Sequence, residues 1–136
     1  MYKEKYIFPA IVKFNKEDNV YYINFPNFKN GFTFSSSENE ILKDSKEVLE
    51  IVLSDYFENN LQIPEPIKID DIKEINSAII LVEVWTPLIM DKLMNQSVKK
   101  TLTIPKWLND VAVENNVNFS KVLQAAIKDY LGIEKR

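Results

Sequence analysis

Hydrophobic positions change their period several times along this chain, and each change marks an element. Tyr6 to Phe14, YIFPAIVKF, is apolar enough for a strand, and the polar run Asn15 to Asn19 turns the chain after it. Proline cannot donate to a ladder. Pro9 therefore places this strand at a sheet edge or bulge, or starts it one residue later. Val20 to Phe25, VYYINF, predicts a second strand and Phe32 to Phe34 a short third one, with the tight-turn dipeptide Asn30-Gly31 between them. Strands joined by such turns predict an antiparallel meander. The period then becomes helical. Ile41, Leu42, Val48, Leu49, Val52, Leu53, Tyr56 and Phe57 form one stripe, long enough to cover a sheet face. Ser37 and Glu40 stand at capping-box spacing before it, and Asn59-Asn60 ends it. Leu61 to Pro66, LQIPEP, is an extended exit. Ser77 to Trp85, SAIILVEVW, is a fourth strand, apolar on both faces at its start and so expected inside the sheet. Thr86-Pro87 is placed to cap a short helix through Met94.

The last third repeats the exercise on a smaller scale. Leu102 and Ile104 alternate with Thr101 and Thr103, a strand with one apolar face. Pro105 suits the first turn of a helix, in which Leu108, Val111 and Ala112 fall at helical spacing. Asn115-Asn116 breaks that helix. Asn118 is placed to cap the next one, whose stripe is Val122, Leu123, Ala126, Ile127, Tyr130 and Leu131, and Gly132 stops it. A segment this short cannot build a core alone, and its strand has no neighbour in sequence. The expectation is a second copy, with two strands paired antiparallel across a dimer axis and Leu102, Ile104, Leu108, Val122 and Ile127 in a shared core. The strand side chains opposite that core are Lys99, Thr101 and Thr103. A two-stranded ribbon fits the major groove, where Thr and Lys bond to base edges. Lys100 is out of phase and sits at the margin, near phosphate; Lys106 and Lys121 are further phosphate contacts. Asn118, Phe119 and Ser120 open a helix whose free amides suit a phosphate.

Strand, Pro junction, helix, turn and helix in this order resemble the ribbon-helix-helix family of dimeric DNA-binding domains. Asn116 stands where that family often has Gly. The plainer alternative is a C-terminal helical hairpin with an edge strand.

Charge divides the chain in the same place. Residues 95–136 hold seven Lys+Arg against four Asp+Glu, whereas residues 1–94 hold ten against sixteen. The tail thus has the sign of a nucleic-acid binder and the front the sign that attracts a basic partner. The chain has neither Cys nor His, which excludes a disulfide framework, thiolate or imidazole metal sites and the usual general base. MYKEKY lacks the basic and apolar regions of a signal peptide, and the apolar run Ala78 to Val82 is too short to span a bilayer, so a cytoplasmic protein is expected.

The front, in the order β-β-β-α-β, resembles the HicB antitoxin family. The resemblance rests on PAIVKF in the first strand, on VYYINFPNF with its Phe-Pro step, on the helix opening SSSENEILKDSKEVLEIVL, and on LQIPEP, which matches a Leu-x-Pro-x-Pro habit. Ser35-Ser36-Ser37 stands where the family often has Gly-Asp-Thr. The resemblance implies an α+β protein: a degenerate RNase H-like domain over residues 1–94 and a ribbon-helix-helix over residues 95–136. It further implies an antitoxin that neutralises a HicA-like mRNA-cleaving toxin by direct binding and represses its own operon at operator DNA. A homodimer is expected through the ribbon, and a tetramer if the front domains also pair through an edge strand.

Catalysis on an RNase H-like sheet needs clustered carboxylates to hold a divalent ion. The first strand offers Ile11-Val12-Lys13, Asp18 falls in a turn, Glu40 reads as a cap, Glu83 is isolated and Asp70-Asp71 is a linker doublet. No enzyme, metal or cofactor is expected. Two further readings stay open. One is a repressor whose front domain senses a small ligand through Tyr21, Phe25, Phe32 and Phe34. The other is a protein whose tail only dimerises.

Overall fold

A computed structural model describes residues 1–133; residues 134–136, the end of the second expected segment, lie outside it. The chain forms two compact units, Met1–Ser97 and a second beginning at Val98.

In the first unit, β1 (Lys5–Asn15), β2 (Val20–Asn24), β3 (Phe32–Ser35) and β4 (Ala78–Trp85) make one antiparallel sheet in the order β3-β2-β1-β4. The helix α1 (Ile41–Glu58) lies on one face, and α2 (Thr86–Met94) follows β4 directly. Period-two alternation sends Tyr6, Phe8, Ala10 and Val12 of β1, Ile23 of β2, and Val82 and Val84 of β4 to the helix side. There they meet Leu49, Val52, Leu53 and Phe57 of α1 and Ile89 of α2. Phe8, Ile23, Leu49, Leu53 and Val82 are fully buried. Each such side chain stabilises the fold by roughly 1.5–3 kcal/mol relative to exposure.

Several expectations need correction. The fourth strand lies at the edge of the sheet, not inside it, because β4 pairs with β1 alone. Its second apolar face is exposed rather than covered, with Leu81 at 57% and Trp85 at 48%. Pro9 is accommodated inside an unbroken β1, an interior strand. The pairing with β2 begins only at Ile11, so at Pro9 the strand has β4 on one side and no ladder to supply on the other. Asn30-Gly31 does not form a left-handed turn. Gly31 is needed for close approach instead: a Cβ there would lie 2.9 Å from Phe25 Cβ.

The capping box is absent. Ser37 makes no side-chain bond to the helix, and a 3-10 turn over Glu38–Glu40 leads into α1. The serine that matters is Ser35, buried at the end of β3, which donates to Asp44 Oδ2 at 2.6 Å and ties strand to helix. Leu42 is exposed, and the position it was expected to fill on the buried face belongs to Ser45, which donates to Ile41 O. Thr86 does not cap α2; its hydroxyl donates to Lys3 O at 2.5 Å and its amide to Glu4 O at 2.8 Å, closing the N-terminal end of β1 onto β4. Asn60 takes the left-handed conformation that ends α1, at φ 54°, with Leu61 N–H reaching back to Tyr56 O.

In the second unit, α3 (Lys106–Glu114) and α4 (Phe119–Leu131) are joined by a short turn. Asn116 has φ 55°, the left-handed value that favours Gly, and Asn tolerates it. Val117 N–H bonds to Ala112 O and Asn116 N–H to Val113 O, a paired C-terminal motif that satisfies the last carbonyls of α3. Asn118 caps α4 through its side chain, accepting from Lys121 N–H at 3.1 Å, and Gly132 closes it at φ 70°. The expected strand over Thr101–Ile104 is not formed in the single chain. A ladder needs a second strand, and among the described residues no other segment pairs with this one.

Candidate functional site

The second unit is unusual in what it leaves uncovered. None of its described residues is buried; Ala112, Val117, Leu123 and Ala125 reach only half-burial. All five residues expected in a dimer core are exposed in the single chain: Leu102, Ile104, Leu108, Val122 and Ile127. Two large side chains belong with them, and one of these, Trp107, escaped the sequence reading. Trp107, at 68% exposure, stands three residues after Ile104 and one before Leu108, and Tyr130 follows Ile127 at the same helical interval. That spacing was the available signal. Solvating so much apolar surface on fewer than 40 residues is unfavourable, and its concentration on one short segment points to an interaction site.

The polar residues expected to meet DNA are exposed as well: Lys99, Lys100, Thr101 and Thr103 precede α3, and Asn118, Phe119 and Ser120 open α4. Their roles differ in detail. Asn118 uses its side-chain oxygen on Lys121 N–H, so it shapes the helix start. Ser120 accepts from Gln124 Nε2 at 3.0 Å. Lys106 forms an ion pair with Asp110 at 2.8 Å one turn on, so its charge is already partnered, whereas Lys121 is in none of the ion pairs among the described residues.

The first unit offers a sheet whose second face carries no helix. Alternation places Phe32, Phe34, Tyr22, Ile7, Leu81 and Trp85 there. Phe28, between the two turns that join β2 to β3, is core: it is 5% exposed and packs edge-on to Phe8 at 4.9 Å and Tyr56 at 5.6 Å. Lys29 remains exposed. The aromatics proposed to line a ligand pocket do not share one. Phe25 is buried on the helix side, while Phe32 and Phe34 project from the opposite face. An open groove of about 1100 Å³ runs instead beside the free part of β1, between Lys5–Ile7 and the extended segment Leu61–Pro66.

Carboxylates in this unit are engaged singly. Asp18 accepts from the Tyr22 hydroxyl, Glu38 from Tyr21, Glu83 pairs with Lys5 at 3.6 Å, and Glu40 with Lys43 at 3.7 Å. The hydrogen bond to Asp18 raises the Tyr22 pKa above the usual phenol value; desolvation, then Glu38, raises that of Tyr21. Among the described residues no three carboxylates converge as a metal site would require, and no helix is long and apolar enough to cross a membrane.

Comparison with known proteins adds the following. The family model described as a HicB-like antitoxin of bacterial toxin-antitoxin systems matches residues 7–82, which is the sheet and α1. A solved toxin-antitoxin complex from Streptococcus pneumoniae contains a chain with 28% identity and a TM-score of 0.61, covering 93% of this chain and 99% of that one. The crystal structure of the antitoxin HicB3 aligns at 20% identity with a TM-score of 0.51, over 91% and 97% of the two chains, a likeness of fold. No curated protein sequence matches.

Proposed function

The chain belongs to the HicB-like antitoxins of bacterial toxin-antitoxin systems, and we propose that it neutralises a HicA-like mRNA-cleaving toxin by direct binding and represses its own operon. The observation that carries the second half is that no described residue of the second unit is buried. Two copies placed so that their Thr101–Ile104 segments pair antiparallel give each other the missing strand partner and cover Leu102, Ile104, Leu108, Val122 and Ile127. That is a ribbon-helix-helix. It turns Lys99, Thr101 and Thr103 outward from both copies as the base-reading ribbon in the major groove. Lys100 lies at the ribbon margin and Lys121 near the backbone. The first amides of α4, at Phe119 and Ser120, meet a phosphate where the helix dipole favours it. The left-handed Asn116 supports this reading, because it performs at the inter-helix turn the task that Gly performs elsewhere.

The first unit is the toxin-binding module, read as a degenerate RNase H-like domain that has kept the sheet and lost the carboxylate cluster. Its role is to bind, not to catalyse. Its excess of acidic residues, sixteen against ten, complements a partner that grips RNA through basic surface and accelerates their encounter. The partners are thus the toxin protein, operator DNA and a second copy of the chain, in the cytoplasm, without a cofactor.

Operator binding by Thr101→Ala and Thr103→Ala tests the assignment. Each should lose about 1–3 kcal/mol at the affected base pairs while neutralisation of the toxin encoded beside it survives. Unchanged operator affinity in both variants rules out the ribbon as the reading surface.

A further inference from the structure

Among the described residues the second unit holds a single ion pair, and it stands next to the ribbon segment. Lys106 Nζ meets Asp110 Oδ2 at 2.8 Å. Lys99, Lys100, Lys121 and Lys128 take part in no ion pair among those residues. Lys106 opens α3 three residues after Thr103, and its side chain is 89% exposed. A helix N-terminus is also the end at which the backbone dipole disfavours a cation.

The pair does little for the helix itself. Both side chains are exposed, and at this spacing the order with the cation on the N-terminal side is the weaker one. What it changes is where the charge sits. Asp110 lies about one turn further along α3, so it draws the ammonium down the helix and away from Thr103. A lysine beside a base-reading strand is an ordinary means of gripping a phosphate. Here its charge is cancelled where it stands.

We infer that Asp110 is a positioning residue that withholds Lys106 from DNA, and so sets how tightly the chain holds any duplex. The inference rests on the ribbon reading of this unit. Lys106 and Asp110 together present no net charge. Moving the ammonium to a phosphate would leave Asp110 unpaired in the negative field of the duplex, which offsets what the new contact gains. Phosphate contacts carry no sequence information, whereas Lys99, Thr101 and Thr103 are placed to read bases. Keeping Lys106 off the backbone therefore weakens binding to every sequence by the same factor. Asp110 tunes affinity and its dependence on salt, and the ribbon keeps the choice of sequence.

The test is fluorescence anisotropy of the full chain across a salt series, on two duplexes of equal length. One carries the region upstream of the chain's own reading frame and the other a scrambled sequence. Asp110→Asn keeps the shape of the side chain and removes its charge, and it should bind both duplexes more tightly by the same factor. One new phosphate contact from each of two copies should steepen the log–log salt slope by about 1.8, which makes the fall in affinity between about 50 mM and 200 mM salt about twelvefold larger. Asp110→Glu, which can remake the pair, should keep the parent slope. Lys106→Gln should take the whole gain from the Asp110→Asn chain and flatten the slope of the parent by clearly less. An unchanged slope in Asp110→Asn overturns the inference, and so does a gain confined to one duplex. Equal flattening by Lys106→Gln in both backgrounds overturns it too, because the two charges would then act independently. A parent that binds neither duplex sinks the ribbon reading along with this inference, whereas a parent that binds while Asp110→Asn changes nothing sinks this inference alone.

Discussion

The two units of this chain solve the burial problem in opposite ways. Among the described residues every buried hydrophobic one, from Tyr6 to Ile89, belongs to the first unit, where a sheet and two helices close over Phe8, Leu49, Leu53 and Val82. The second unit has two helices, α4 capped at both ends and α3 closed at its C-terminus, and no buried residue among those described. Local signals and a core are therefore separate requirements. Caps and left-handed stops can specify α3 and α4, yet their stability must come from packing against something else. In the first unit the chain is its own partner. In the second, the partner we propose is another copy.

The largest effect should follow from attacking the second unit where it is exposed. Leu102→Asp leaves the single chain unstrained, because the side chain is 58% exposed there, but places an unpaired charge in the shared core we propose. The ribbon dimer and operator binding should be lost while the thermal midpoint of the first unit stays put; gel shift and calorimetry check both. Phe8→Ala should do the reverse. It deletes a fully buried ring between Tyr6 and Phe28 and should cost about 3–5 kcal/mol in denaturant unfolding of the first unit only.

Smaller effects sharpen the contrast at helix ends. Asn116→Ala puts an ordinary side chain at φ 55° and should destabilise the second unit by about 1–2 kcal/mol, whereas Asn116→Gly should not. Asn118→Ala removes a cap that is made and should cost about 1 kcal/mol. Ser37→Ala removes one that is not made, and its unfolding curve should differ from the parent by no more than about 0.5 kcal/mol.

Much of this was legible in the residues because it depends on neighbours in sequence. The four strands, the α1 stripe and the Asn118 and Gly132 ends are period and cap signals. What failed depends on distant groups. The place of β4 in the sheet is decided by which strands pair, and an apolar outer face reads the same whether a helix or another molecule covers it. The role of Ser35 required knowing that the end of β3 meets Asp44 of α1. Gly31 looked like a turn residue and is instead a gap left for Phe25 and Phe28. Phe28 lies between two turns, where no periodicity marks it as buried, yet it folds back onto Phe8. In the site, the exposed apolar residues of the tail were predicted from periodicity, while Trp107 was passed over beside Leu108.

Amide hydrogen exchange of the full chain, followed by mass spectrometry across a dilution series, tests the difference between the units most directly. The dimer account predicts that α3 and α4 lose protection as the protein is diluted, while β1 and α1 keep theirs. Protection of α3 and α4 that is independent of concentration would mean that the second unit is stable alone, and would contradict it.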